Sequence, residues 1–146
     1  MSDVSVREIT SVSEEIFAAI NRLLPVLSSS ALPLTFDEVR SLIENESVTL
    51  LVAEDGSQVV GMLTLVVFPI PTGIRAWIED VVVEEPQRGK GVGELLTRAA
   101  IEQAEKLGAR TVDLTSRPTR EAANRLYVRC GFQLRETNVY RHNSDS

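Results

Sequence analysis

Cysteine and histidine each occur once in these 146 residues, and only 5% of the side chains are aromatic. A single thiol, Cys130, closes no internal disulfide. With His142 alone in a polar tail there is no ligand set for zinc and no partner set for a Ser-His or Cys-His triad. No run of about 18 apolar residues occurs, and the N-terminal MSDVSVREITSVSEE lacks a basic segment followed by an apolar one. Neither a membrane span nor a signal peptide is expected, and the cytoplasm is the expected compartment. Basic residues are in deficit, 15 against 21 acids for a net charge of −6, which argues against nucleic acid as a partner.

What remains is an ordinary soluble composition, 43% hydrophobic and 25% charged, at a length that predicts one domain over 1–146. The charge is unevenly placed. Residues 1–60 hold ten acids against three bases, residues 61–87 four against one, and residues 88–146 seven against eleven, so the C-terminal part is the basic one.

VSVREIT alternates like an edge strand. Ser11 with Glu14 reads as a capping box opening a helix with Ile16, Phe17, Ile20, Leu23 and Leu24 on its apolar face, which Pro25 should kink or end. A second box, Thr35 with Glu38, opens a short helix. VTLLVAEDGSQVVGMLTLVVF then reads as a hairpin turning at Asp55-Gly56. PIPTG breaks the chain before RAWIEDVVVEE, a β-branched strand of central character. From Val92 to Leu107 apolar residues recur at helical spacing, with Gly108 at the C-terminal end. RTVDLTS is a short strand, Thr119 can cap a last helix that ends at Gly131, and FQLRETNVYRH is expected to close the sheet. The order β-α-α-β-β-β-α-β-α-β predicts a mixed α/β fold, with helices on both faces of the sheet.

Between the central strand and the long helix lies QRGKGVGELL, residues 87–96. A glycine-rich turn at a helix N-terminus presents backbone N–H groups that lack intrahelical partners, with the positive end of the helix dipole behind them. Such a concavity suits phosphate. Gly89, Gly91 and Gly93 allow close backbone approach, while Arg88 and Lys90 add charge. Glycine-rich turns also simply join strands to helices, so the loop alone leaves both readings open. A P-loop would need G-x-x-x-x-G-K-[ST], and the dinucleotide fingerprint G-x-G-x-x-G with a later acid; neither pattern is present.

Arg88-Gly89-Lys90-Gly91-Val92-Gly93 fits R-x-x-G-x-G. Set after IEDVVV and followed by AANRLYVRCGF, it resembles the GNAT superfamily of N-acetyltransferases. The motifs run from about Trp77 to Phe132, and residues 1–60 match in layout only. The resemblance implies a mainly antiparallel mixed sheet, splayed between its fourth and fifth strands and flanked by about four helices. It also implies acetyl-CoA as co-substrate, no metal, and direct acetyl transfer to a primary amine in a ternary complex. The donor's diphosphate would lie on the amides of 88–93 and its pantetheine arm along Val81, Val82 and Val83, where a backbone N–H near Val82 or Val83 also holds the oxyanion. Tyr127 falls where a tyrosine often protonates the departing thiolate, and Asn124 where a residue often faces the cofactor. A homodimer is the family's common state.

Arg117, Arg120, Arg125 and Arg129 lie within thirteen residues that hold one acid, Glu121. Arg120 and Arg125 are candidates for the 3′-phosphate of CoA, against the alternative of a solvated helix face. Tyr127 is equally readable as a core aromatic. Glu79 is the expected base. Strand alternation would put Asp80 on the opposite face, and a water relay is the alternative to either. Cys130 at an apolar helix position and Trp77 at the strand entrance read as packing residues. The acidic first 87 residues favour a cationic acceptor, a small molecule or a peptide amine. IEDVVV…RGKGVG…LYVRCGF is also similar to the glucosamine-6-phosphate N-acetyltransferases, which keeps an amino-sugar acceptor open, and a non-catalytic acyl-CoA-binding module is the remaining class.

Overall fold

The alternating N-terminal segment forms β1 (Val4–Ile9) in the computed structural model, which describes residues 3–144. There follow α1 (Glu14–Leu27), α2 (Phe36–Glu44), β2 (Val48–Asp55), β3 (Gln58–Ile70), β4 (Gly73–Val83), a short 3-10 turn (Glu85–Gln87), α3 (Val92–Lys106), β5 (Thr111–Asp113) and α4 (Glu121–Arg129). The sheet order is β1-β2-β3-β4-β5. Every pairing is antiparallel except β4 with β5, which is parallel.

Side-chain alternation in β2 divides the core in two. Leu50 and Val52 join Ile16, Ile20, Leu23 and Val39 of α1 and α2 on one face, whereas Leu51 and Ala53 join Leu96, Ala100 and Ala104 of α3 on the other. Leu23, Leu63, Leu65 and Leu96 are at most 1% exposed, and each such burial contributes about 1.5–3 kcal/mol.

Most local signals act as the sequence predicts. Thr35 and Glu38 form the reciprocal capping box of α2. Gly56, at φ +63°, turns the β2–β3 hairpin, where Asp55 pairs with Gln58. Three details differ. The cap of α1 is Ser13, whose Oγ accepts from Ile16 N–H at 3.1 Å, because the helix starts at Glu14 and Ser11 is too distant to reach its first turn. Pro25 lies inside α1, which continues to Leu27 before ending. The N-cap of α4 is Arg120, with no side-chain cap, since Thr119 still belongs to the turn after Pro118.

The expected sixth strand does not form. Residues 132–144 are irregular, and Leu134, Val139 and Tyr140 are 100%, 72% and 88% exposed. The neighbour they would have paired with, β5, is only three residues long and offers a short ladder.

The central strand carries a second departure from regular pairing. Thr64 of β3 faces Glu79, but Met62 faces Val82, so Asp80 and Val81 together oppose the single residue Leu63. This β-bulge has Asp80 in the left-handed region at φ +51°. Before it, Ala76 and Ile78 point to the α3 side. After it, Val81 and Val83 do so, while Val82 turns to the α1 side. The bulge interrupts the alternation between Asp80 and Val81, and the carboxylates of Glu79 and Asp80 are both exposed.

Candidate functional site

Ladder bonding between β4 and β5 runs only from Arg75 to Trp77, opposite Thr111 to Asp113. Beyond Trp77, β4 continues through the bulge to Val83, and among the described residues no strand pairs with it on its β5 side. A cleft of about 1280 Å³ opens there. Its walls are Val81–Val83, the loop after β4 and first turns of α3, the segment from Thr115 into α4, and the end of α1 at Val26 and Leu27.

The glycine loop forms one end of the cleft. Gly89 and Gly91 have φ +79° and +83°, and a Cβ on either would meet nothing within 4 Å. Glycine is required there by conformation, and the space before the backbone stays open. The first intrahelical bond of α3 is Leu95 N–H to Gly91 O at 3.0 Å, so the amides of Val92, Gly93 and Glu94 precede the helical ladder. Gly93 serves packing. A Cβ there would approach Leu126 Cδ1 to 3.2 Å, so its absence lets α4 close onto the first turn of α3. Thr97, fully buried, donates its Oγ1–H to Gly93 O at 2.8 Å and fixes that turn.

Charge in the cleft has one dominant sign. Arg88, Arg117, Arg120, Arg129 and Arg141 line it, against the single acid Glu121. Arg129 also pairs with Glu94 at 3.2 Å, and Arg88 Nε donates to Val83 O at 3.4 Å. The side-chain oxygens Ser116 Oγ and Gln87 Oε1 are buried at the cleft wall without a hydrogen-bond partner. Such orphaned groups normally cost free energy unless a ligand or water satisfies them.

Tyr127 closes the inner end. It is 9% exposed, and its ring stands edge-on to Phe132 with centroids 5.9 Å apart. Burial pushes its phenol above the usual tyrosine range, opposed by the Arg120 guanidinium, so the hydroxyl keeps its proton at neutral pH.

The sequence-selected residues thus separate by position. Val81, Val82, Val83, Arg88, Gly89, Gly91, Val92, Gly93, Arg120 and Tyr127 line one cleft. Lys90, Arg125, Glu79 and Asn124 are outside its lining. Asn124 Nδ2 instead donates to Arg117 O at 3.0 Å, bracing the loop that leads into α4. Glu79 is exposed one residue before the bulge. Sequence reasoning missed Gln87, Ser116, Val139 and Arg141. The first two adjoin the recognised motifs, whereas nothing local marks the tail residues as cleft walls.

No helix among the described residues is long and apolar enough to cross a membrane, and no cluster of three metal-ligating side chains is found among them.

The family model described as the acetyltransferase (GNAT) family matches residues 14–132. An uncharacterised N-acetyltransferase of Bacillus subtilis (strain 168) is 37% identical over 73 residues, and this match spans about half of each protein, 49% of this chain and 51% of that one. A solved structure from Agrobacterium tumefaciens str. C58, whose name assigns it to the acetyltransferases, superposes with TM-score 0.84 at 27% identity over 95% of this chain and 99% of its own. An aminoglycoside acetyltransferase from an uncultured soil metagenomic sample, in complex with sisomicin, superposes with TM-score 0.87 over 98% of this chain and 97% of its own. At 16% identity it speaks to the fold alone.

Proposed function

The chain belongs to the acetyltransferase (GNAT) family, and from that premise we propose that it moves the acetyl group of acetyl-CoA directly to a primary amine, both substrates being held together in the cleft between β4 and β5. The observation that carries this reading is the junction itself: a glycine loop with free helix-N-terminal amides opens onto the same cleft as the unpaired stretch of β4 and the buried Tyr127.

The cleft fits a CoA thioester. The amides and Arg88 at residues 88–93 take the diphosphate. Arg120, with Arg117 beside it, takes the 3′-phosphate. The backbone of Val81–Val83, freed from β5, pairs with the amide groups of the pantetheine arm, and the orphaned Ser116 Oγ lies on the opposite wall. Acetyl-CoA supplies an acyl group already activated toward amines. The protein's own tasks are the remaining ones. A backbone N–H at Val82 or Val83 donates to the oxygen on which negative charge develops. Tyr127, protonated because it is buried, gives its proton to the sulfur that departs. Glu79 accepts the proton that the ammonium must shed before attack, directly or through water.

The acceptor is a cationic amine. Glu79 and Asp80 are both exposed at the bulge, in the acidic part of the chain, while the basic residues gather on the donor side. Acids at the bulge and arginines along the cleft, set apart in this way, sort a cationic acceptor from an anionic donor.

The test is thiol release from acetyl-CoA with a panel of cationic, neutral and anionic amines, beside calorimetry with acetyl-CoA and dephospho-CoA. Turnover restricted to cationic amines, with weaker binding of dephospho-CoA, is expected. Binding without any turnover would leave an acyl-CoA-binding module, and turnover only with phosphorylated amino sugars would overturn the cationic acceptor.

A further inference from the structure

Away from the arginines of the cleft, one guanidinium makes two contacts at once. Arg22 of α1 donates through Nη2 to Val59 O at 2.7 Å, and its Nη1 pairs with the Glu84 carboxylate. Glu84 follows the last residue of β4 and caps the 3-10 turn that leads to the glycine loop. Its own N–H donates to Val60 O at 2.9 Å, so its backbone is held by β3 directly and its side chain is held to the neighbouring β3 residue through Arg22. The turn carries that fixed point forward: Gln87 N–H donates to Glu84 O at 2.9 Å, and Arg88 N–H to Glu85 O at 3.1 Å, at the first residue of the loop. On α1, Arg22 stands one helical turn before Val26 on the same face, and Val26 with Leu27 lines the cleft.

An ion pair between two freely solvated side chains contributes little. This one is different in kind, because the Glu84 side chain is only 18% exposed and the guanidinium fork is divided between a carboxylate and a backbone carbonyl. The point charge of a lysine cannot reproduce that geometry. We propose that Arg22 is a positioning residue of the donor site: through Glu84 it sets where the glycine loop leaves the sheet, and through α1 it ties that loop to the wall formed by Val26 and Leu27. The proposal rests on the reading of the cleft as the acetyl-CoA site. Arg22 is not among the residues that line the cleft, so it touches neither substrate and acts on the donor only through the turn. The competing account is attraction of an anionic donor by the Arg22 charge, and the two differ in sign at the partner residue. Attraction makes Arg22→Ala weaken donor binding and Glu84→Ala strengthen it. Positioning makes both weaken it, since either change releases the same turn.

Calorimetric titration with acetyl-CoA of the wild type, Arg22→Ala, Glu84→Ala and the double variant decides it. Each single variant should bind about tenfold more weakly and the double variant no worse than either, the non-additivity of two residues acting as one unit. With a cationic amine as acceptor, the KM for acetyl-CoA should rise by the same factor while kcat at saturating donor stays at the wild-type value. In the ligand-free protein the amides of Glu84, Gln87 and Arg88 should exchange faster in both single variants, with those of β2 unchanged. Should Arg22→Ala fail to fold, Arg22→Lys takes its place: it keeps the charge but not the fork, so weakened binding supports positioning and wild-type binding overturns it. A wild-type protein that binds no acetyl-CoA would overturn the donor site itself. With wild-type binding intact, the proposal fails if the two alanine variants shift affinity in opposite directions, if their effects add, or if exchange in the turn is unchanged.

Discussion

The two sides of β4 are built differently. On one side, β3 follows it from Gly73 to its last residue, Val83, and the strands carry buried apolar groups such as Leu63, Leu65 and Ile78. On the other side, β5 follows it for three residues and then departs, leaving glycines, arginines and unsatisfied side-chain oxygens around an open cleft. Complete pairing secures the fold, and interrupted pairing exposes backbone that a ligand can use. The bulge at Asp80 joins the two regimes, since it turns Val82 toward the α1 core while directing Val81 and Val83 toward the α3 core, all three lining the cleft.

The comparison predicts that damage on one side should leave the other intact. The largest stability effect belongs to the closed side. Leu65, fully buried and opposite Ile78, should cost about 2–5 kcal/mol on replacement by alanine, read from urea unfolding, with acetyl-CoA affinity unchanged under native conditions. Gly91→Val is its mirror. Its left-handed backbone position costs a valine about 1–2 kcal/mol, but the larger consequence is a side chain in the open space before the loop amides, so calorimetry should find donor binding abolished in a folded protein. Normal affinity in Gly91→Val would mean that the loop only turns the chain.

Tyr127→Phe acts on chemistry rather than on either structural regime. Turnover should fall about 10²-fold with donor affinity retained. In the wild type, the raised phenol places the loss of the acid form, and the decline in turnover, above the ordinary tyrosine range. The same burial makes a stability contribution that is fully present below the unfolded tyrosine value and lost as pH rises through the folded one. An unchanged rate in Tyr127→Phe would pass the proton transfer to water.

Much of this molecule is legible in its sequence because the decisive signals are local. The Thr35–Glu38 box, the Asp55-Gly56 turn and the glycine loop each act over a few residues, and each is found in place. What was not legible depends on distant partners. Asp80 shows no glycine to mark a bulge, although short polar residues tolerate the left-handed region best; only the register with β3 reveals it. The tail has the alternation of a strand but lacks a neighbour long enough to pair with. Asn124 has the right motif position yet spends its amide on Arg117 O, a choice fixed by the path of the β5–α4 loop.

The smallest predicted effect concerns the joint between α3 and α4 at the cleft floor. Glu94 accepts from Arg98 Nε at 3.0 Å on its own helix and from Arg129 Nε at 3.2 Å on α4, and these hydrogen bonds hold its carboxyl below the usual range. A lowered folded value means that the stabilisation is present above the unfolded carboxylate value and disappears as pH falls through the folded one. Glu94 is only partly buried and both its partners reach solvent, so the effect is modest and screened by salt. Glu94→Gln should therefore shift the urea midpoint slightly at neutral pH and low salt, and not at acid pH, where the wild-type carboxyl is already protonated. If the link also orders the cleft, dephospho-CoA and acetyl-CoA should both bind somewhat more weakly, and by the same factor. A shift equal at both pH values would show that the effect does not depend on the carboxylate's charge, and the two helices would then be held by Leu126 against Gly93 rather than by the ion pairs.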